Sequence, residues 1–357
     1  MLSLGIETSC DETSVAVVKD GRYVLSNIIA SSLKEHRKYQ GIIPEIAFRA
    51  HIESITITAR KALEAACQKL SDMDLICVTQ SPGLIGSLLV GISFAKALSL
   101  ALQKPLIGVN HLEAHLYASF LSGADVKDRL RLPALPFVGL VVSGGHTNLF
   151  LVERDFRFKQ LSSTADDAAG EAFDKVAKIL GLGYPGGPVI EKLAREGDSK
   201  GFRFSCQGPS DLGFSFSGIK TAVLYKSQVT SRKPQAADLA ASFQKAVVEA
   251  LIEKSFLACE RHKINTLVIG GGVAANNYLR NKFKEEAESR NPPLTKGRRG
   301  GVEILPLTRG GGEGLKNIKV YFPGKGLTLD NAAMIAGLGY QLFKRGKRSN
   351  YYLNTNS

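Results

Sequence analysis

One pattern occurs twice in this chain and restricts its fold more than any other: an apolar strand, a turn of small polar residues, and a second apolar strand. It covers residues 2–18 and again residues 137–152. Short apolar runs bounded by turn residues predict buried strands. Further strands are predicted at 74–79, 105–109, 265–269 and 319–322. They alternate with helices predicted at 44–70, 84–102 and 236–262. The sequence therefore predicts an α/β protein built from two related halves.

Two α/β halves that each present a hairpin turn toward a shared cleft describe the architecture of actin, hexokinase and Hsp70. We therefore expect an actin-like ATPase (ASKHA) fold, with two related RNase H-like subdomains around a central cleft. The polar stretch 123–134 is typical of a surface linker. It predicts an N-terminal subdomain at 1–125 and a C-terminal subdomain at 126–357. The final helix, from 331 to about 345, is expected to pack back near the first subdomain.

Two histidines lie four residues apart, directly after the apolar run 105–109. Asn110 can cap a helix that begins at this point. On that helix His111 and His115 share one face, so both can bind one metal ion. Two ligands hold an ion weakly, and Asp330, where the final helix begins, is the candidate for the third. Two helix histidines in ordinary polar contacts are the alternative interpretation.

The histidine pair resembles the His-Glu-x-x-His motif of zinc proteases, but its acid stands at the wrong position. In the protease motif the glutamate follows the first histidine and faces the metal. Glu113 instead lies two residues after His111, about 200° round a helix of 3.6 residues per turn. We expect it to point away from the metal, which argues against peptide hydrolysis.

The net charge of the chain permits a polyanionic partner without proving one. The 357 residues are enough for two domains with substantial cores, and they include 46 basic and 33 acidic residues, a net charge of +13. Part of the excess is local, because 291–317 holds five basic against two acidic residues and 344–348 holds four basic residues. The remainder favours nucleic acid as a partner, and a solvated basic surface is the alternative.

Cysteine usage and the N-terminus predict a cytoplasmic protein. The five cysteines are scattered and odd in number, which favours reduced thiols over a disulfide framework. They are Cys10, Cys67, Cys77, Cys206 and Cys259. The first residues lack the charged start and cleavage site of a signal peptide. We also expect no membrane span, because the apolar runs fall short of the length that a span needs.

Both hairpin turns carry residue types that suit phosphate binding. The turn at 8–12 offers hydroxyls and backbone N–H groups, together with the acids Asp11 and Glu12. The turn at 143–147 contains two glycines, which let the backbone approach a phosphate closely, and His146 stands at its tip. An ordinary polar hairpin is the alternative interpretation of each turn.

Later loops carry features of a nucleoside site. Residues 164–175 are expected to open a helix with acids in its first turn. The Gly-Pro turn at 183–188 can lie against a ribose, where Asp174 and Glu191 can accept hydrogen bonds from sugar hydroxyls. The glycines at 270–272 lie between a strand and a helix, a usual place for nucleotide contacts.

Residues 291–317 differ in kind from the rest of the chain. Pro293-Leu294-Thr295-Lys296-Gly297 recurs as Pro306-Leu307-Thr308-Arg309-Gly310, within sequence rich in glycine and arginine. Such sequence offers little to build a core. It predicts a flexible surface insertion.

Taken together, eight stretches in order along nearly the whole chain resemble the TsaD/Gcp family, formerly described as O-sialoglycoprotein endopeptidases. They are Gly5–Thr13, the His111/His115 pair, Val142–His146, Asp167–Lys175, Tyr184–Pro188, Phe216–Lys220, Gly271–Asn276 and Asp330–Ala333. The segment 291–317 is a departure from the family pattern. The joint occurrence of these stretches is far more specific than any one of them.

The resemblance implies an acyltransferase that makes N6-threonylcarbamoyladenosine in tRNA. It implies one divalent ion, Fe²⁺ first and Zn²⁺ second, held by His111, His115 and Asp330. Threonylcarbamoyl-AMP would be bound by residues from several loops, namely Val142, Ser143, Gly144, Gly145, His146, Asp174, Gly187, Glu191 and Asn276. Asp11 or Glu12 is the candidate to take the amine proton of the attacking adenine.

The family resemblance also implies helper subunits, and two other functions stay open at this point. The helpers would be a TsaB-like paralogue and a TsaE-like P-loop ATPase, beside tRNA itself. A metallopeptidase, as the old family description says, predicts peptide hydrolysis by the pure protein. An actin-like ATPase scaffold predicts ATP turnover that ignores tRNA and survives loss of His111.

Overall fold

The structure is a computed structural model, and it describes residues 1–123, 132–206, 208–229, 233–290 and 315–355. The first half of the chain forms six strands and four α-helices within these ranges. They are β1 (Leu2–Glu7), β2 (Glu12–Lys19), β3 (Tyr23–Ser31), α1 (Leu33–Arg37), α2 (Pro44–Ala65), β4 (Leu75–Ser81), α3 (Ile85–Leu102), β5 (Leu106–Asn110), α4 (His111–Tyr117) and β6 (Ser122–Gly123).

The second half repeats the strand pattern and adds longer helices. Its described elements are β7 (Phe137–Val142), β8 (Thr147–Val152), β9 (Phe158–Ser163), α5 (Ala169–Ile179), α6 (Gly186–Ala194), α7 (Ser217–Val229), α8 (Lys233–His262), β10 (Thr266–Gly270), α9 (Asn277–Ser289), β11 (Lys319–Tyr321) and α10 (Ala332–Lys344). Helix α8 begins three residues earlier than the sequence predicts, and α2 ends about five residues earlier.

The two sheets share a five-strand arrangement, to which the first adds β6 at its edge. The first has the strand order β5-β4-β1-β2-β3-β6 and the second β11-β10-β7-β8-β9. In each, the first two strands form an antiparallel hairpin, and the strands on the other side run parallel to its first strand. The two predicted hairpins are therefore the matching centres of two related sheets. Their turns, 8–11 and 143–146, stand at corresponding edges.

The central strands are apolar nearly throughout because both of their faces are covered. Every residue of β7 is buried, as are Ser3 through Glu7 of β1. Strands that pack helices on both faces lack the polar alternation of half-exposed strands. Polar residues inside these strands are therefore exceptions that call for a reason.

The final helix, α10, packs on the first sheet. A side chain at Gly5 of β1 would place its Cβ only 2.1 Å from the carbonyl oxygen of Ala332. A side chain at Gly339 would likewise meet the sulfur of Cys77 in β4 at 2.3 Å. These close approaches seat the start of α10, and with it Asp330, directly above the end of β1.

Helix α3 corrects one expectation about membranes. Its 18 residues make it long and apolar enough to cross a membrane by length and composition. The sequence-based expectation that the apolar runs are too short is therefore wrong for this helix. Leu88, Ile92 and Ala95 are buried in the core formed with β1 and β4, and the core helix of a soluble domain has the same composition.

The structure shifts the predicted start of one helix and leaves most of the predicted insertion outside the described residues. Helix α5 begins at Ala169 and has Glu171 as the acid of its first turn, so the helix starts later in the 164–175 stretch and Asp166 and Asp167 precede it. Asp166 instead accepts hydrogen bonds from the backbone N–H of Phe216 at 2.7 Å and from the hydroxyl of Ser217 at 2.7 Å. The expected insertion at 291–317 lies, except for its last three residues, outside the described residues.

Candidate metal and nucleotide site

A side-chain cap starts the helix that carries the two histidines. Strand β5 ends at Asn110, whose Oδ1 accepts hydrogen bonds from the backbone N–H groups of Leu112 at 2.9 Å and Glu113 at 3.1 Å. These bonds satisfy N–H groups that the first helical turn leaves unpaired. The predicted cap is confirmed, and it turns the chain into α4 at the residue where the histidine pair begins.

The three predicted metal ligands meet in the structure. The Nε2 atoms of His111 and His115 are 3.1 Å apart. The Oδ1 atom of Asp330 lies 3.5 Å from the first and 3.2 Å from the second. Asn331, whose Oδ1 accepts from the backbone N–H of Met334 at 3.1 Å, caps α10 and fixes the position of Asp330 beside it.

The donor atoms of this cluster fit a divalent metal ion. One ligand atom from each of the three residues lies within 4.8 Å of the others. Two imidazole nitrogens and a carboxylate oxygen are a donor set that zinc and non-haem iron both accept. The Nδ1 atom of His115 is buried without a hydrogen-bond partner among the described residues. The polar contacts of this ring are therefore those that Nε2 makes with His111 and Asp330.

Charge in the cluster favours a cation. Although burial opposes the charged form of His111, the carboxylates of Glu7 and Asp330 raise its pKa to about 9. Burial likewise opposes ionisation of Asp330, but the two histidines lower its pKa. An ion that binds the neutral imidazole has to displace the proton of His111, so its affinity falls as the pH falls.

Glu7 is a residue that the sequence reasoning missed. It is fully buried at the end of β1, and its Oε2 lies 3.0 Å from the Nδ1 atom of His111. The hydroxyl of Thr79 donates to the same oxygen at 2.5 Å, and the backbone N–H of Ser9 donates to Oε1 at 2.5 Å. A carboxylate on the outer nitrogen of a ligating histidine turns the other nitrogen toward the metal. An acid inside an otherwise apolar strand was the available signal.

The acids of the first hairpin turn lie in the electrostatic field of Asp330. Burial, and after it the carboxylates of Asp330, Asp11 and Glu7, raise the pKa of Glu12 to about 8. Burial and Asp330 also raise the pKa of Asp11. The structure therefore brings the predicted acid pair and the predicted metal ligands into one site.

The second hairpin turn faces the same site. The backbone N–H of Ser143 donates to the carbonyl of His146 at 2.8 Å, and the N–H of His146 donates to the Ser143 hydroxyl at 3.1 Å, which closes the turn. Burial, followed by the charges of His111 and His115, lowers the pKa of His146 to about 4. The backbone places the two together: a Cβ at Gly270 would lie 2.4 Å from the His115 carbonyl and one at Gly271 would lie 2.4 Å from the Val142 carbonyl, so the turn at 143–146 lies beside the helix of the histidine pair.

The two glycines of the turn at 143–146 leave space for a bound group, whereas Val142, at the end of the preceding strand, is covered. A Cβ at Gly144 or at Gly145 would meet no atom within 4 Å, so a bound group can approach their backbone. Val142 is buried, and its carbonyl is approached by Gly271, whose φ of +93° is a conformation that favours glycine. The glycine loop at 270–272 therefore packs directly behind the turn at 143–146.

The remaining predicted binding residues hold loops in place in this structure. Asp174 accepts a hydrogen bond from the backbone N–H of Gly186 at 2.6 Å, which fixes the turn before α6. Asn276 caps α9 through the N–H of Leu279 at 2.9 Å and donates to Gln244 at 2.9 Å. Gly187, by contrast, stands open, with nothing within 4 Å of a Cβ placed there.

Glu191 lines a cavity of about 320 Å³. Its Oε1 accepts from the Asn277 side chain at 3.0 Å, from the Asn277 backbone N–H at 3.2 Å and from Arg195 at 3.0 Å. The cavity is also lined by Gln244 and Tyr278. Amide, carboxylate and phenol groups around a small cavity suit a polar ligand.

Solved structures define the class of protein to which this fold belongs. HypF from T. kodakarensis superposes with a TM-score of 0.58 at 15% identity, over 96% of this chain and 48% of that one. Component A of the Acidaminococcus fermentans (R)-2-hydroxyglutaryl-CoA dehydratase superposes with a TM-score of 0.51 at 16% identity, over 97% of this chain and 100% of that one. The fold is that of the actin-like ATPases, as the sequence predicts.

Sequence comparison then identifies the family. The family model described as TsaD, tRNA N6-adenosine threonylcarbamoyltransferase, matches residues 23–304. The protein of that description from Dictyoglomus turgidum is 48% identical over 100% of this chain and 98% of its own length, and the one from Thermosipho africanus is 48% identical over 97% and 96%. The chain belongs to the TsaD family, which confirms the predicted resemblance.

Proposed function

We propose that the protein transfers the threonylcarbamoyl group of threonylcarbamoyl-AMP to N6 of adenosine 37 in tRNAs that read ANN codons, with release of AMP. Family membership supports the transferase activity. The observation that carries the assignment is the meeting of the His111–His115–Asp330 cluster and the open turn at 143–146 in one site. One group of residues suits a metal ion and the other suits a phosphate.

The second subdomain supplies the residues for the adenylate. In the proposal, the backbone of Ser143, Gly144 and Gly145 and the imidazole of His146 contact the phosphate and the acyl group, and the buried Val142 anchors the turn behind them. The open backbone of Gly187 receives the ribose, and Asp174, Glu191 and Asn276 stand around the nucleoside. Each of these three side chains keeps acceptor capacity beyond the hydrogen bonds described above.

His111, His115 and Asp330 would hold one divalent ion, with Fe²⁺ favoured and Zn²⁺ as the alternative. When bound, the ion supplies Lewis acidity to the oxygens of the threonylcarbamoyl group. Glu7 keeps His111 oriented for this ligation, and the turn donors at 143–146 can stabilise negative charge that develops on the carbonyl oxygen.

The transfer needs a group that accepts one proton. A bond forms between adenine N6 and the carbamoyl carbon, the bond from that carbon to the phosphate oxygen breaks, and AMP leaves with the electron pair. The proton released from N6 passes to Asp11 or Glu12. Burial and neighbouring carboxylates raise the pKa of both acids, so each is a stronger base than a free carboxylate.

The partners in this proposal are tRNA, a TsaB-like paralogue and a TsaE-like P-loop ATPase, in the cytoplasm. The net charge of +13 supports a polyanionic substrate. No described feature favours the peptidase. Burial raises the pKa of Glu113 to about 7, and the charged groups that act on this carboxyl are Lys347 and Arg345 rather than the two histidines or Asp330.

The test combines the protein and a bacterial helper pair with threonylcarbamoyl-AMP and unmodified tRNA, and measures the modified nucleoside by mass. We expect product from the natural chain and none from His111→Ala. His262→Ala, at the far end of α8, is the matched histidine control and should keep full activity. Peptide hydrolysis, or ATP turnover that survives His111→Ala, would contradict the proposal.

The substrate turn gives a second expected result. Gly170 of α5 packs against the turn, so a Cβ at this position would lie 2.5 Å from the Ser143 carbonyl and 2.8 Å from Gly144 Cα. We expect Gly170→Ala to displace the turn and to raise the KM for the adenylate about tenfold, since backbone must move. Steady-state kinetics with varied adenylate measures this. Gly324→Ala, where a Cβ meets only Leu327 at 4.0 Å, should leave the KM unchanged.

A further inference from the structure

Two buried histidines outside the metal cluster contact the loop that carries Asp11 and Glu12. His36 lies on α1 and His51 on α2, and the side chains of both are fully shielded from solvent. Neither is used in any step above. A buried imidazole whose two nitrogens are both hydrogen-bonded has a defined orientation and tautomer.

His51 holds the carbonyl of Cys10. Its Nε2 lies 3.0 Å from that oxygen, which can only accept, so Nε2 carries a hydrogen and donates. Burial lowers the pKa of His51, so the ring is neutral at pH 7 and its Nδ1 accepts from the Thr13 hydroxyl at 2.7 Å. The Ser54 hydroxyl lies 2.8 Å from the Thr13 hydroxyl and 2.7 Å from the carbonyl of Ala50. The ring of His51 therefore links Thr13 to the carbonyl of Cys10, with both of its nitrogens hydrogen-bonded.

His36 holds the next carbonyl along the chain. The backbone N–H of Ile43 donates to its Nδ1 at 3.2 Å, which leaves the ring hydrogen on Nε2. That hydrogen is directed to the Ser32 hydroxyl at 3.1 Å, and the hydroxyl donates to the carbonyl of Asp11 at 2.8 Å. The backbone N–H of Ser32 reaches the same carbonyl at 3.2 Å.

The two hydrogen-bond chains end on consecutive peptide groups, immediately before Glu12. We propose that His36 and His51 are positioning residues for the acid pair: as neutral imidazoles with the hydrogen on Nε2, they fix the backbone under Asp11 and Glu12 and so place both carboxylates beside the metal cluster. This inference rests on the proposed function, in which that acid pair exchanges a proton with the substrate.

The position of the loop matters because the reaction depends on distance. A displacement of 1 Å at a reacting group can cost about a hundredfold in rate. If the loop only had to be shielded from water, apolar side chains would be sufficient, because burying a polar group is unfavourable in free energy. The histidines supply directed hydrogen bonds to two specific oxygens instead.

The first experiment compares His51→Met, which fills the space without a donor, with His51→Gln, whose amide again offers one donor and one acceptor. For His51→Met we expect kcat to fall about tenfold to a hundredfold, with the KM for threonylcarbamoyl-AMP and the metal content unchanged. His51→Gln should recover most of the lost kcat. His262→Met is the control and should match the natural chain. Unchanged kcat in His51→Met, or equal losses in the Met and Gln variants, would overturn the proposal.

The second experiment needs no turnover. In the ¹⁵N spectrum of the histidine-labelled natural protein at pH 7, His36 and His51 should each show one protonated nitrogen, at Nε2. Amide exchange at residues 9–13 should be faster in His51→Met than in His51→Gln. Protonation at Nδ1 of either ring, or equal exchange in the two variants, would overturn the inference. A natural chain that makes no modified nucleoside with its helpers would contradict the proposed function, whereas these readings would still decide the arrangement of the loop.

Discussion

Asp330→Asn is expected to remove tight metal binding and to reduce threonylcarbamoyl transfer by about a thousandfold or more, since a bound ion contributes several kcal/mol to charge stabilisation. Asparagine has the shape of aspartate but no charge. The carboxylate lies within 3.5 Å of both ligating nitrogens and supplies the anionic member of the cluster. Without it two neutral imidazoles remain, and they hold a divalent ion weakly.

The measurement is the metal content of purified protein after gel filtration, beside the thermal midpoint with and without added Zn²⁺. The natural chain should gain stability with the metal, because a ligand that binds only the folded state stabilises it, and Asp330→Asn should gain little. The metal-free variant should be somewhat less stable than the natural metal-free chain at neutral pH, because, although burial opposes ionisation, the two histidines hold the pKa of Asp330 below its usual range and so favour its charged form in the folded state. Asp72→Asn, on an exposed turn, is the control. An Asp330→Asn protein with full metal content and turnover would contradict the assignment of this ligand.

The parts of the fold that the sequence predicts are those with a local signal. The two hairpins, the alternation of strands and helices, and the Asn110 cap before the histidine pair each follow from neighbouring residues. Asp330 could be chosen from sequence because two histidines alone hold an ion weakly and because Asp330 stands where the final helix is predicted to begin. The topology then seats that helix on β1, where Gly5 allows it.

The parts that the sequence does not predict depend on contacts between distant residues. Asp166 stands before α5 because it binds backbone and hydroxyl groups about fifty residues later, and nothing near position 166 indicates them. His36 stands among charged residues and His51 in an amphipathic helix, where an ordinary surface position is the default interpretation. Glu7 was visible only as an acid in an apolar strand, and its partner lies 104 residues away.

Glu7→Gln is expected to lower metal affinity about tenfold to a hundredfold, the usual effect of losing the outer partner of a ligating histidine. Glu7 accepts three hydrogen bonds, from Ser9, Thr79 and His111. Glutamine has one carbonyl oxygen and one NH₂ group, so at least one of these donors must face another donor. A buried donor left unsatisfied is unfavourable, and a neutral amide oxygen in place of the carboxylate holds Nδ1 of His111 less strongly than a charged acceptor does.

The pH dependence of this loss separates a change in metal affinity from misfolding. In the natural chain the metal competes with a proton on His111, whose pKa is about 9, so affinity rises with pH up to that value. In Glu7→Gln the pKa of His111 falls, because the nearest carboxylate is gone, and the proton competes less. The difference in Zn²⁺ affinity, measured with a competing chelator, should therefore be largest at pH 9 and smaller at pH 7.

Thr79→Val removes one donor to Glu7 and keeps the carboxylate, so it should show a smaller loss with the natural pH dependence. A constant difference across this range, or none at pH 9, would contradict the role assigned to Glu7.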